Sequence, residues 1–123
     1  MENISGEVKR QSIASLQSTI RKLEKGLAQM SQKGANTTLI EKRLRAHHIA
    51  LAVLEFVWQQ KPHSFHEEDL EEARNTLSGL FPSIQSNLAK AKPGSPQRTL
   101  LERRKKAMEL ANQAMDAGIT EEA

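Results

Sequence analysis

A chain of 123 residues has room for one ordinary domain that buries roughly two-thirds of the surface its unfolded form exposes. With no cysteine, disulfides, thiolate chemistry and sulfur-based zinc sites are excluded. The formal charge of +3 is uneven: residues 1–62 carry ten Lys/Arg against five Asp/Glu and residues 63–123 eight against ten, so the halves should attract weakly and folding should dilute the basic signal.

Residues 1–33 contain no uninterrupted apolar stretch of the kind a secretory signal needs. The most apolar run, 49–58, includes Glu55 and is too short to cross a bilayer, so a soluble cytoplasmic protein without membrane contact is expected.

Apolar residues recur at steps of three and four along the whole chain, and no strand-like alternation competes. A first helix over 8–33 aligns Ile13, Leu16, Ile20, Leu23, Leu27 and Met30, and Gly34 supplies a left-handed stop. A second over 38–60 starts at a capping box of Thr38 and Glu41, uses Ile40, Leu44, His47, Leu51, Leu54 and Trp58, and ends before Pro62. A third over 65–91 is opened by Ser64 with Glu67 and keeps one apolar phase from Leu70 to Ala91 across Pro82. A kink near Ser78 and Gly79 is therefore expected there, not a loop. A fourth over 96–116 follows Ser95 and Pro96, carries Leu100, Leu101, Met108, Ala111 and Met115 on one face, and meets a plausible stop at Gly118.

Short connections between long helices favour antiparallel neighbours. The expected fold is thus all-α, an antiparallel up-down-up-down four-helix bundle with its third helix kinked near Pro82. Residues 1–123 form a single domain, with 1–7 and 118–123 fraying. A long helical hairpin that dimerises into a bundle is the alternative.

Few residues carry a chemical signature. His63 and His66 stand three apart beside Glu67, but the third helix begins between them and no spacing marks a third ligand, so no metal is expected. The acid run Glu67, Glu68, Asp69, Glu71 and Glu72 fits a first helical turn offsetting the helix dipole. No phosphate loop, nucleophile elbow or supported Ser/His/Asp arrangement is present, so neither a catalytic residue nor a cofactor is assigned.

The basic cluster Arg98, Arg103, Arg104, Lys105 and Lys106 is the nucleic-acid candidate, with Lys9, Arg10, Arg21, Lys22 and Lys25 on the first helix. Its four-residue spacings to Glu102 and Glu109 read instead as an alternating-sign ladder, and no tyrosine is available for base stacking. Nucleic-acid binding is accordingly the alternative function. His47 and Arg104 interrupt core stripes, as a hydrogen-bonded neutral imidazole and a snorkelling arginine.

The strongest anomaly is an apolar surplus on the second helix. Ile49, Val53 and Phe56 lie outside the stripe that one bundle needs, which points to a homodimer interface or a groove for a partner helix. Cover by the third helix or a chain terminus is the competing explanation. The functional expectation is a small non-enzymatic adaptor or regulator acting through protein–protein contact.

Overall fold

A computed structural model describes the backbone of residues 3–122 and side chains as far as residue 117. Within that range the chain is helical with no strand, in five segments: α1 (Gly6–Gln32), α2 (Thr38–Gln59), α3 (Glu67–Ser78), α4 (Phe81–Lys90) and α5 (Pro96–Glu122). No described helix is long and apolar enough to cross a membrane.

Local chemistry sets most of the boundaries. Ser5 Oγ accepts from the Val8 amide at 3.1 Å and starts α1. Gly34 ends it with φ of 70°, a conformation glycine adopts without steric cost. At the start of α2 the expected box of Thr38 with Glu41 does not form: Thr38 is the first helical residue, Asn36 Oδ1 accepts from its amide, and the Thr37 hydroxyl donates to Glu41. Gln60 closes α2 in the left-handed region, with Pro62 two residues on.

Three further expectations about the helix boundaries are corrected. The third helix opens at Glu67, not 65, because the Asp69 carboxylate accepts from the His66 amide at 2.9 Å and the Ser64 and Glu67 box is not used. The stretch expected as one kinked helix is two helices separated by Gly79 and Leu80. Pro82 has no amide hydrogen to offer the preceding turn, and glycine is the weakest helix former beside it. Finally, α5 runs through Gly118 to Glu122, so Gly118 is not a stop. The expectation of fraying falls partly on Met1, Glu2 and Ala123 and on the side chains of 118–122, which lie outside the described residues.

The core joins Leu16 of α1, Ile49, Val53 and Leu54 of α2, Leu70 and Leu77 of α3, Ile84 of α4, and Met108 and Met115 of α5. Leu23 and Leu51, expected in the core, are only half-buried. Around it α2 packs on α1, α3 and α5, whereas α5 packs on all four other segments. α4 has its substantial contact with α5 alone. The two helices with most neighbours need the widest apolar arcs. On α2 the buried set is centred on Ala46, Ala50 and Val53, more than about a third of a turn from the expected seam residues Leu44, Leu51 and Trp58 at roughly 100° per residue. On α5 the small residues Ala107, Ala111 and Ala114 are buried at steps of four and three, which lets neighbouring helices approach closely.

Candidate functional site

The α2 surplus is largely covered by the chain itself. Ile49 and Val53 are 1% and 3% exposed, and Ile49 borders a narrow gap with Ala73 and Thr76 of α3. These two residues therefore do not line an accessible surface, because the chain's own helices bury them, α3 lying against Ile49. Phe56 does remain exposed, next to Val57. Its ring meets the His63 imidazole edge-on, with centroids 5.3 Å apart, and His63 in turn lies against Phe65.

His63 and His66 have separate duties. His63 Nδ1 accepts from the Phe65 amide in the connection, and His66 caps α3. Among the described residues no three His, Asp or Glu side chains gather as metal ligands.

The basic candidates separate by position. Arg98 is a structural cap: its guanidinium donates to the carbonyls of Leu88 and Ala91 at 3.0 and 3.3 Å, holding the end of α4, and its own amide donates to Ser95 Oγ. Lys105 and Lys106 lie off any cavity wall described below. None of the expected pairs (Arg98 with Glu102, Glu102 with Lys106, Lys105 with Glu109) closes to within 4 Å among the described residues. The ion pairs are instead Arg45 with Asp69, Lys61 with Glu55, and Arg74 with Asp116.

Arg103 and Arg104, by contrast, border a furrow of about 690 Å³ between α1 and α5, open on one side. Arg10, Arg21 and Lys22 face it from α1, so five cations surround it. None of its lining residues is acidic or aromatic, and none of the five cations pairs with a carboxylate within 4 Å among the described residues. Folding concentrates the basic charge here instead of diluting it, because the acids of α3 lie on another side of the molecule and Asp69 is already joined to Arg45.

The floor of the furrow contains Leu100 and Leu101. Leu100 is seven residues before Ala107 and therefore lies on the same face as Ala107, Ala111 and Ala114, all fully or nearly fully buried, yet it is 60% exposed. The core stripe of α5 runs out from under its cover at this end. Leu100, expected in the core, is thus misplaced by the sequence pattern, as Leu23 and Leu51 are to a lesser degree.

Arg104 links the furrow to the interior. Burial, with Arg43 nearby, holds its guanidinium below the usual arginine value, and its Nε has no hydrogen-bond partner among the described residues. His47, 1% exposed, lies in its field. The His47 Nδ1 is 2.7 Å from the Arg43 carbonyl, which places the ring hydrogen on Nδ1 and leaves Nε2 a buried acceptor with no described partner. Burial first, then the positive charges of Arg104, His48 and Arg43, hold this imidazole below its ordinary value of 6.5, against the opposing effect of the Arg43 carbonyl.

No protein-family model matches this chain, and neither a curated protein nor a solved structure matches it.

Proposed function

We propose that this chain is a non-enzymatic interaction protein, an adaptor or regulator, that holds a segment of another protein in the furrow between α1 and α5. The observation that carries this reading is Leu100: a leucine in register with the core stripe but 60% exposed, on the floor of a furrow bordered by five cations and no acid. Covering what remains exposed of such a side chain is worth on the order of 1–2 kcal/mol. A partner supplying that cover together with negative charge would gain at both.

We further infer that α1, α2, α3 and α5 alternate in direction. Four contacts support this. Lys9, near the start of α1, stands over the ring of Trp58 near the end of α2, and Gly26 lies close to Ile40 at the opposite end of the same pair. Between α3 and α5, Arg74 pairs with Asp116 and Ser78 accepts from Asn112, so position advances on one helix as it recedes on the other. A cytoplasmic setting belongs to the same proposal and is compatible with a chain that has no cysteine.

The test compares proteins retained by the wild type with those retained by Leu100→Asp. Because Leu100 is exposed, the variant keeps its helicity and loses the partner. Undiminished capture by a folded Leu100→Asp chain would overturn the reading.

A second reading, self-association, rests on Phe56 and Val57, 49% and 37% exposed at the end of α2. It no longer draws on Ile49 and Val53.

A further inference from the structure

Resting on the assignment of the α1–α5 furrow as the binding face, we propose that its occupant is an acidic amphipathic helix of a partner protein. Its apolar ridge lies over Leu100 and Leu101, and its carboxylates face Arg10, Arg21 and Arg103. Dimensions and chemistry converge on this class. Arg10 and Arg21 are eleven residues apart on α1, which returns them to nearly the same face about 16 Å apart along the axis. That is about three turns of helix, so carboxylates eleven residues apart on the partner would meet both.

Between these arginines the wall of α1 is low. Ala14, Ser15 and Ser18 occupy the middle of the furrow, so a second helix can come close without displacing bulky side chains. On the α5 side Leu100 and Leu101 offer adjacent apolar surface with Arg103 above them. A helix placed in a groove by anchors at steps of three and four is the recognition mode with this pattern.

Duplex or single-stranded nucleic acid fits less well. It would satisfy the cations, but Leu100 has no counterpart on a phosphate backbone, and no aromatic residue lines the furrow for a base to stack upon. A bilayer surface is flat and cannot enter a furrow between two helices.

The experiment uses fluorescently labelled helix-forming peptides of about four turns. One carries a leucine ridge flanked by glutamates. The second has lysine at each glutamate position. A short duplex DNA, polyglutamate and anionic phospholipid vesicles complete the set. Wild-type protein should bind the glutamate peptide and not the lysine peptide. Binding should weaken by at least about tenfold for Leu100→Asp, and equally for the double variant Arg21→Glu, Arg103→Glu. That double variant should instead acquire affinity for the lysine peptide, a gain that a misfolded chain cannot show.

Equal binding of both peptides, no binding of the glutamate peptide, or stronger binding of DNA, polyglutamate or vesicles with the same residue dependence would each overturn the acidic-helix assignment. If that assignment fails while Leu100→Asp still abolishes partner capture, the furrow remains the binding face and only its occupant is wrong. If Leu100→Asp leaves capture unchanged, the furrow itself is misassigned.

Discussion

His47 places a titratable ring where a second proton has nowhere to go. Its Nδ1 hydrogen already serves the Arg43 carbonyl, and protonation at Nε2 would create a buried donor beside the positive charge of Arg104. The unfolded chain, free of these constraints, binds the proton at the ordinary value of 6.5 while the folded chain resists it. Between 6.5 and the lower folded-state value the unfolded state therefore holds more protons, so stability falls as pH falls through this window and is unaffected by His47 above it. The slope is at most about 1.4 kcal/mol per pH unit from one group. Denaturant unfolding at a series of pH values from 8 downward should show this decline for the wild type and a shallower one for His47→Gln. A wild-type chain that unfolds with the same midpoint on both sides of 6.5 would contradict the burial argued for the ring. Sequence reasoning found the residue from its position in an apolar stripe, and Arg43 stands one turn back on the same helix, but spacing alone could not bring Arg104 of α5 beside it.

Gly79 shows what decides a break at the level of the element. Its φ of −67° is ordinary right-handed helix, and a Cβ added there would meet backbone oxygens of Thr76 and Asn75 at 3.5 and 3.7 Å, which is normal contact. Alanine is therefore accommodated in the folded chain and restricts the unfolded one. Gly79→Ala should stabilise by roughly 0.4–1 kcal/mol in denaturant unfolding. A loss of stability would show that the turn between α3 and α4 needs glycine for a reason its geometry does not reveal.

The legibility of the elements follows the same division. The helix start at 96 is readable because Ser-Pro chemistry is local, and the start at 38 is found at the right residue although Asn36, not the Thr38 and Glu41 box, supplies its cap. The start of α3 was not, since Ser64 with Glu67 and His66 with Asp69 have the same spacing and only the folded chain chooses between them. The continuous apolar phase from Leu70 to Ala91 concealed the interruption, because two residues of turn in helical conformation scarcely alter the register.

At the scale of the molecule, neighbours determine what an apolar surplus means. α2 packs on three helices, so Ile49 and Val53 go inward; a wheel drawn for a helix with two neighbours assigns them outward. The furrow was equally hidden, since it exists only where α1 and α5 stand side by side, and its clearest residue, Leu100, reads as core in any periodic pattern. With only Phe56 and Val57 left exposed on that part of α2, any self-association has a small contact to draw on. Sedimentation velocity should therefore show at most weak concentration dependence for the wild type, abolished in Phe56→Asp. A stable dimer that survives this substitution would rule out the Phe56 patch as its interface.

The position of α5 also bears on how the chain comes into being. Synthesis proceeds from the N-terminus, and α5 begins only at Pro96, yet α1, α2, α3 and α4 all lean on it. Until α5 emerges from the ribosome, the nascent chain lacks the residues that complete the core around Leu16, Leu54 and Leu77. Translation adds roughly 5–20 residues per second, so that interval lasts on the order of seconds. Closure of the core therefore waits on α5, and the four helices made before it keep apolar sides in water until it arrives.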